Sequence, residues 1–202
     1  MSNTLIVQGH PCLVVEEIAA RHSADLVFTY SRYRVAPPGV QAEAPRSAVL
    51  RVAAFDVTRE WLADRFAELE PSEEMAWHSW VECKDAIFHI PMIDFVDRPA
   101  HSVVCEVGRI LTEAMDLKGE FMFFETGSSF HGYFPDLLTE HAWRKYLGQL
   151  LLLNEPDRPP VIDTRWVGHA LMRGYAALRW SRNTNRYRAM PRLVSVLVPN
   201  GP

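Results

Sequence analysis

Residues 121–133 read FMFFETGSSFHGY, a run of apolar and aromatic side chains that breaks at Gly127 and then resumes an extended pattern. The run predicts a buried strand, and the glycine and serines after it predict a tight turn. Ser129 and His131 lie two positions apart, so their side chains project from the same face of an extended chain. A hydroxyl and an imidazole beside such a turn suit a phosphate, because the turn also offers backbone N–H groups. The alternative is a hairpin whose serine and histidine lie on the surface without a ligand.

The overall composition fits one globular domain over residues 1–202. The chain has 48% hydrophobic and 23% charged residues, and its length allows a sizeable core without disulfides. No apolar run approaches the ~20 residues of a membrane helix, and the first residues lack a secretory signal, so we expect no membrane partner. Three cysteines without a disulfide spacing indicate a reducing compartment, and we predict a cytoplasmic protein. Within the domain, residues 1–75 have no assigned role.

Arginine is concentrated near the C-terminus. From residue 164 onward the sequence has seven arginines and no Asp, Glu or Lys, which gives a charge of +7. Since the net charge is −4, residues 1–163 carry −4 − 7 = −11. This asymmetry indicates a localised anion-binding face, and arginine suits bidentate phosphate contacts and stacking on bases. The alternative is a solvated basic surface.

One part of this region, residues 182–188, combines arginines with amides and a tyrosine. Such a mixture suits contact with phosphates and unstacked bases of a single strand, although a solvated loop has a similar composition. The candidate nucleic-acid contacts are Arg182, Arg186 and Arg188.

Hydrophobic periodicity predicts helices and strands without the regular alternation of a parallel doubly wound sheet. We therefore predict an α+β fold, with a mixed or antiparallel sheet flanked by helices. Residues 36–45 read as a loop and 71–74 as a turn, and Trp61, Trp77 and Trp80 are assigned to the core. The predicted helices are 12–21, 58–70 capped by Thr58, 102–115, and 141–154 capped by Thr139. The predicted strands outside 121–133 are 4–7, 25–35, 48–57, 75–82, 86–95, 176–181 and 193–198.

Carboxylates follow two separate apolar segments of the chain. Asp94 lies at the end of the predicted strand 86–95, Asp97 comes three residues later, and Asp163 follows Ile162. Mg²⁺ and Mn²⁺ prefer oxygen ligands, and Mg²⁺ is usually held by one or two carboxylates plus substrate phosphates. A metal pair ~4 Å apart can activate a hydroxyl and stabilise a leaving pyrophosphate. The sequence therefore suggests a site for divalent metal ions.

Each of these acids also has a simpler interpretation. On a regular strand Asp94 and Asp97 face opposite sides, unless a bulge or turn at Val96 brings them together. Without such a bulge or turn, Asp94 is a solvated acid at a strand end, and Asp97 pairs with Arg98. Asp163 suits the N-cap of a helix that begins at residue 164. A zinc site formed by Cys83, His89, His101 and Cys105 lacks the usual paired spacing.

The order of the motifs resembles that of the archaeo-eukaryotic primase superfamily, the primase-polymerases. This family is marked by an acidic pair at a strand end, then Ser-x-His, then hydrophobic-Asp, and finally a basic strand. Ser129-Phe130-His131 matches the second motif, Ile162-Asp163 the third, and Leu178-Arg179-Trp180-Ser181 the strand after it. The similarity covers roughly residues 87–191, and it implies that residues 76–202 form a primase-like catalytic core. Because the first motif is altered, the chain resembles the divergent primase-like branches more than the replicative primases.

The resemblance implies a metal-dependent nucleotidyltransferase that joins nucleoside triphosphates on a nucleic-acid template. It also implies Mg²⁺ or Mn²⁺ as cofactor, single-stranded nucleic acid as template, and a helicase or another replication or defence protein as partner. Two alternatives remain open, a non-catalytic nucleotide- or nucleic-acid-binding module and a domain whose basic region docks an acidic protein. The residues implied are Asp94, Asp97 and Asp163 for metal and catalysis, and Ser129, His131, Arg179 and Ser181 for the nucleotide.

Overall fold

The computed structural model describes residues 9–22, 25–35 and 46–198. These residues form five α-helices and nine β-strands, with a 3₁₀ turn at Ala54–Asp56. The helices are α1 Cys12–His22, α2 Arg59–Ala67, α3 His101–Met115, α4 Glu140–Leu152 and α5 Thr164–Arg173. The strands are β1 Leu26–Arg34, β2 Arg46–Ala53, β3 Glu73–Cys83, β4 Ala86–His89, β5 Met92–Asp94, β6 Phe121–Glu125, β7 Phe130–Tyr133, β8 Ala177–Arg179 and β9 Arg192–Leu197.

The strands form two antiparallel sheets, which confirms the predicted α+β class. The first sheet has the order β2-β1-β3-β4, and β8 also pairs with β3. Both β4 and β8 fit beside β3 because they pair with different parts of it, β8 with residues 76–78 and β4 with residues 80–83. The second sheet has the order β5-β7-β6-β9.

The sequence correctly located most elements, and the predicted caps are confirmed. The Thr58 side chain accepts a hydrogen bond from the Trp61 N–H, and that of Thr139 accepts one from the Ala142 N–H. The predicted strand 48–57 ends earlier, at Ala53, because the chain turns into the 3₁₀ helix. The predicted strand 4–7 and loop 36–45 lie outside the described residues.

The prediction of one strand over residues 86–95 was wrong, because two strands in different sheets occupy this range. β4 belongs to the first sheet and β5 to the second, and Ile90 and Pro91 connect them. Proline has no N–H to donate to a ladder, so a strand is readily interrupted there. The chain crosses between the sheets at this point and delivers Asp94 to the end of β5.

A single aromatic core joins the two sheets. The ring centroid of Trp77 in β3 lies 5.7 Å from that of Tyr133 in β7 and 4.8 Å from that of Trp180, which follows β8. Burial of such large rings is a major source of stability, and their contacts add to it. Trp80 departs from the predicted core assignment, since it is 36% exposed. The reason is strand alternation, because Ser79 faces the core, where its hydroxyl contacts His89 Nδ1, and Trp80 points the other way.

Candidate functional site

Asp94 and Asp163 lie side by side although 69 residues separate them (163 − 94 = 69). The segment before α5 runs along the end of β5, with the Val96 N–H donating to the Val161 carbonyl at 2.9 Å. The Asp163 N–H donates to the Asp94 carbonyl at 3.0 Å. This backbone pairing, with a β-bridge between Phe95 and Ile162, brings the two acidic motifs to one place.

Asp163 serves as the N-cap of α5. Its Oδ1 atom accepts hydrogen bonds from the Arg165 N–H at 2.8 Å and the Trp166 N–H at 3.1 Å. Both of these bonds go to one carboxylate oxygen, so the cap does not require Oδ2. The helix-cap interpretation is therefore correct, and it is compatible with a second contact through the other oxygen.

Asp94 is held in a partly desolvated position, and its side chain is 26% exposed. Burial, reinforced by the negative charge of Asp163, raises the pKa of Asp94 to about 8, while Arg179 acts in the opposite direction. A carboxyl with a raised pKa beside a second carboxylate is a recognised feature of functional sites.

Asp97 follows the end of β5 at a bend in the chain. Its φ of 50° lies in the left-handed region, which Asp tolerates better than most residues. Asp97 is exposed and lines the same cavity as Asp94 and Asp163. The bend thus brings Asp97 to the same cavity as Asp94, although the two would face opposite sides of a regular strand. The described residues contain no group of three His, Cys, Asp or Glu residues that could hold a metal ion.

His131 is the direct cross-strand neighbour of Asp94, because β7 pairs with β5. Its Nε2 atom lies 3.8 Å from Asp94 Oδ1, and its side chain is 8% exposed. Burial, together with the charge of Arg179, lowers the pKa of His131 well below its usual range. His131 is therefore neutral at physiological pH and packs against Asp94 as an uncharged imidazole.

Ser129 connects the turn before β7 to the end of β5. Its hydroxyl donates a hydrogen bond to the Phe95 carbonyl. The Ser129 carbonyl accepts from the Thr126 N–H at 2.9 Å, which closes the turn. Gly127 has a φ of 96° and lies against Arg188, so a side chain at this position is excluded by both conformation and space.

Arg179 is a buried cation at the centre of the site, only 6% exposed. Its guanidinium donates to the carbonyls of Ser181 and Thr126, the latter at 3.3 Å. The guanidinium carbon also lies 4.0 Å from the ring centroid of Tyr187. These contacts fix the orientation of the cation, and its charge acts on both Asp94 and His131.

These residues surround a cleft with two lobes. The basic lobe has a volume of about 300 Å³ and the turn lobe about 380 Å³. Tyr33, Asp94, Asp163, Ala177 and Arg179 line both lobes. The basic lobe adds Arg46, Arg165, His169 and Arg173, and the turn lobe adds Asp97, Ser129, His131 and Tyr187.

Arg165 and Arg173 belong to the arginine-rich region that the sequence marked as an anion-binding face, but neither they nor Arg46 and His169 were predicted as residues of the site. Arg165, His169 and Arg173 recur every four residues along α5, so they share one face of the helix. The buried residues Trp166, Val167 and Ala170 hold the helix against the core. The four-residue spacing along this helix was the signal that could have placed these three residues together within the predicted anion-binding region.

Ser181 lies apart from both lobes. It is buried, its hydroxyl donates to Glu74, and its oxygen accepts from the Met75 N–H at 2.8 Å. Glu74 also accepts from the backbone N–H groups of Asn183 and Thr184. This buried carboxylate was not identified from the sequence, since residues 71–74 had been assigned to a turn.

The predicted nucleic-acid contacts lie on the loop that Glu74 anchors. Arg182, Arg186 and Arg188 are all exposed, and none of them lines either lobe. The Arg182 Nε donates to the Tyr187 carbonyl at 3.4 Å. The Tyr187 ring lies in the turn lobe, and its hydroxyl is 3.3 Å from that of Tyr33. The loop therefore borders the cleft through its tyrosine and carries its arginines on the outside.

Comparisons with known proteins identify one family. A family model described as archaeo-eukaryotic primase 1D-like matches residues 53–192, which is 140 of the 202 residues. The matched region contains all the residues that line the turn lobe except Tyr33. The searches of curated proteins and of solved structures gave no significant match. In the part of the chain that the structure describes, no helix is long and apolar enough to cross a membrane.

Proposed function

Because the chain belongs to the archaeo-eukaryotic primase 1D-like family, we propose that it is a metal-dependent nucleotidyltransferase that joins nucleoside triphosphates on a nucleic-acid template. The observation that carries the proposal is the side-by-side position of Asp94 and Asp163 where the two lobes of the cleft meet. Members of the wider superfamily generally use divalent metals, so the two acids are the first residues to consider as ligands.

The chemistry of the two acids fits Mg²⁺ or Mn²⁺. Both ions prefer oxygen ligands, and Mg²⁺ commonly takes only one or two carboxylates from the protein because substrate phosphates and water supply the rest. The raised pKa of Asp94 reflects a negative charge that is poorly compensated in the metal-free protein. Asp94 and Asp163 would hold the cation, with Asp97 as a further ligand from the bend. When bound, a divalent cation stabilises phosphate charge and activates the attacking hydroxyl.

Arg179 is the residue best suited to meet the reacting phosphate. Its guanidinium is buried and already oriented by two carbonyls and the Tyr187 ring. A preorganised cation stabilises developing negative charge without having to reorganise during the reaction. Arg179 therefore contacts the transferred phosphoryl group from the wall that both lobes share.

The remaining phosphates of the nucleotide lie in the basic lobe. Arg46, Arg165 and Arg173 line this lobe, and guanidinium groups suit phosphate oxygens geometrically. His131 and Ser129 act from the turn lobe. Neutral His131 packs against Asp94 and orients it, and Ser129 holds the turn to β5 through its bond to the Phe95 carbonyl.

Two predicted residue groups have more distant roles in this proposal. Ser181 supports the site through Glu74, because its hydroxyl is buried and already bonded. Arg182, Arg186 and Arg188 contact template phosphates outside the cleft, since they are exposed on the loop that borders the turn lobe. The protein acts in the cytoplasm as a single domain, together with a helicase or another replication or defence protein.

The substitution Asp163→Asn tests the catalytic role of the acid separately from its role in folding. Asparagine caps helices as well as aspartate does, so the bonds to the Arg165 and Trp166 N–H groups are retained. We expect an unchanged unfolding midpoint but a loss of at least about 100-fold in primer extension with Mn²⁺, in line with the loss of a preorganised electrostatic contact.

The matched control is Asp116→Asn, because the Asp116 side chain is 84% exposed and lies outside both lobes. This variant should extend primers like the wild type. Extension by Asp163→Asn at the wild-type rate would refute the catalytic assignment.

A non-catalytic nucleotide- or nucleic-acid-binding module is the second candidate. It is favoured by one observation, that no three-residue metal-binding group occurs among the described residues. In that case the wild type binds a nucleoside triphosphate equally well with Mn²⁺ and with a chelator, and it extends no primer at any metal concentration. Isothermal titration under both conditions separates the two functions.

A further inference from the structure

An aromatic patch, made of the buried His78, the half-buried Tyr175 and the exposed Trp80, lies on the first sheet beyond the basic lobe. His78 and Trp80 lie two positions apart on β3, and both face Tyr175. The ring centroid of Tyr175 is 4.3 Å from that of His78 and 6.4 Å from that of Trp80, with near-parallel planes in both pairs. Ala76, two positions before His78 on β3, lines the basic lobe. The patch therefore continues directly from the wall of the cleft.

Arg173 links the aromatic patch to the basic lobe. Its guanidinium carbon lies 5.2 Å from the Tyr175 ring centroid, and the same residue lines the lobe. The pKa of His78 is lowered to about 3, mainly by burial and further by the positive charges of Arg46 and Arg173. Arg46 therefore also lies close enough to act on the patch. His78 is thus a neutral ring at physiological pH, and the positive charge beside the patch comes from the arginines.

Trp80 is the most accessible large ring of this patch. It is 36% exposed, whereas Trp77, Trp143, Trp166 and Trp180 are each buried. Indole rings are costly to leave in water, and they stack well on nucleic-acid bases because every base presents a flat face. An exposed tryptophan next to guanidinium groups is the combination that single-stranded nucleic acid uses, with bases on the rings and phosphates on the cations.

We propose that the aromatic patch and the basic lobe form a binding track for single-stranded nucleic acid, in which an unpaired base stacks on Trp80 and the adjoining phosphate contacts Arg173. The inference rests on the proposed function, because the track leads into the cleft. The guanidinium groups of the basic lobe favour this occupant over an apolar protein surface, and the accessible Trp80 ring favours it over an acidic protein, which has no bases to stack. From residue 164 onward the sequence contains no acidic residue, so α5 brings no repulsive charge to the strand.

The track is distinct from the loop of Arg182, Arg186 and Arg188. That loop borders the turn lobe through Tyr187, whereas α5 and β3 border the basic lobe. A nucleic-acid strand that contacts both the track and this loop crosses the cleft and passes Asp94 and Asp163, as a template must. Stacking on Trp80 is sequence-tolerant, so DNA and RNA bases are both accepted chemically, and the sugar preference is decided elsewhere.

The test is binding of fluorescein-labelled oligo(dT) and oligo(U) to the wild-type protein, Trp80→Phe and Trp80→Leu, measured by anisotropy. Trp80→Leu loses the stacking of one base and should weaken binding about 5-fold to 150-fold, and Trp80→Phe should restore part of the affinity. Unlabelled oligo(dT) should also quench the tryptophan fluorescence of the wild type and leave that of Trp80→Leu nearly unchanged. Ile87→Ala is the matched control, since Ile87 is 48% exposed on the neighbouring strand β4.

The outcomes separate this inference from the proposed function. Trp80→Leu should still bind a nucleoside triphosphate with Mn²⁺ like the wild type, because Trp80 lines neither lobe. Wild-type affinity for both oligonucleotides in Trp80→Leu, or equal weakening in Ile87→Ala, would overturn the track. A wild-type protein that binds the nucleotide but neither oligonucleotide would also overturn it and leave the nucleotide site intact. Loss of nucleotide binding with Trp80-dependent strand binding retained would instead remove the proposed catalytic function.

Discussion

Asp94 is the residue at which stability and function conflict most clearly. Its carboxyl lies beside Asp163 in a partly buried position, and burial and that neighbouring charge raise its pKa to about 8. At pH values between about 4, the ordinary pKa of an aspartate, and about 8, Asp94 therefore binds a proton in the folded protein that it has already released in the unfolded chain. The free energy of unfolding must fall as the pH rises through this interval.

The substitution Asp94→Asn should therefore stabilise the metal-free protein at alkaline pH. Asparagine cannot ionise, so the variant avoids the cost of a charge next to Asp163 and should gain at least about 1 kcal/mol at pH 8.5. Urea unfolding with a chelator, at pH 5 and pH 8.5, measures this gain, which should shrink at the lower pH. Asp116→Asn is the control and should change little at either pH, because its side chain is 84% exposed.

Added Mn²⁺ should reverse the order of stability of the wild type and Asp94→Asn. A ligand that binds the folded state raises stability, and the wild type retains the carboxylate that the cation needs. Stabilisation of Asp94→Asn by Mn²⁺ to the same extent as the wild type would contradict the assignment of Asp94 as a ligand.

At the scale of elements, Glu74 on β3 organises the loop that follows β8. The carboxylate is fully buried, and it accepts hydrogen bonds from Ser181, Asn183 and Thr184. The Thr184 hydroxyl adds a further bond at 2.7 Å. The loop in turn carries Tyr187, whose ring lies on the guanidinium of Arg179. One strand residue thus controls the position of a loop and, through it, one wall of the cleft.

We expect Glu74→Ala to destabilise the protein by about 3 kcal/mol or more, because several buried donors lose their acceptor at once. Glu82→Ala is a matched control on the same strand. Glu82 is partly exposed and pairs with the exposed Arg51, and such pairs contribute less than about 1 kcal/mol. Urea unfolding of the two variants compares a buried anchor with a surface ion pair. Equal losses would show that Glu74 does not have the anchoring role.

At the scale of the whole molecule, buried histidines determine the response to acid. Burial lowers the pKa of His10 to about 4, of His78 to about 3 and of His89 to about 4. In His10 burial outweighs the hydrogen bond of Nε2 to the Trp180 carbonyl at 3.0 Å, which by itself raises the pKa, and Nδ1 accepts from the Cys12 N–H at 3.1 Å. A proton on Nδ1 would remove the second of these bonds.

The free energy of unfolding should therefore fall as the pH decreases from about 6.5 to 4. In that range the unfolded chain takes up protons on these histidines while the folded protein does not, at a cost of roughly 1 kcal/mol per pH unit for each. Asp94 acts in the opposite direction, but it is one group against four, since burial lowers the pKa of His131 as well. Urea unfolding of the metal-free protein across this range should show the decrease, and the maximum should lie near neutral pH.

Two histidine variants identify the source of this effect. His78→Gln should flatten the pH dependence, since glutamine does not titrate, whereas His141→Gln should leave it unchanged because His141 is exposed. A wild-type curve that is flat between pH 4 and 6.5 would contradict the assignment of neutral, buried histidines.

The division of the chain into residues 1–75 and 76–202 stays a prediction. The family match begins at residue 53, and β1 and β2 pair with β3 in one sheet. The N-terminal half contributes to the cleft directly, through Tyr33 and Arg46.

The class of fold, most element positions and the family could all be predicted from the amino-acid sequence. These depend on local chemistry, because periodicity marks helices and strands, threonine caps mark helix starts, and motifs keep their order along the chain. The aromatic run at 121–125 and the turn at Gly127 were predicted for this reason, and the structure has both.

Which side chains meet could be seen only after the chain had been folded in three dimensions. Asp163 reaches Asp94 through backbone pairing between segments far apart in sequence, and Glu74 reaches the loop at 183–184 in the same way. Trp80 was assigned to the core because it is apolar, yet its exposure depends on which face of β3 it occupies. The pKa of Asp94 likewise depends on burial and on a neighbour that pattern analysis cannot place. Periodicity describes a chain one segment at a time, whereas contacts, desolvation and charge coupling arise only when distant segments pack together.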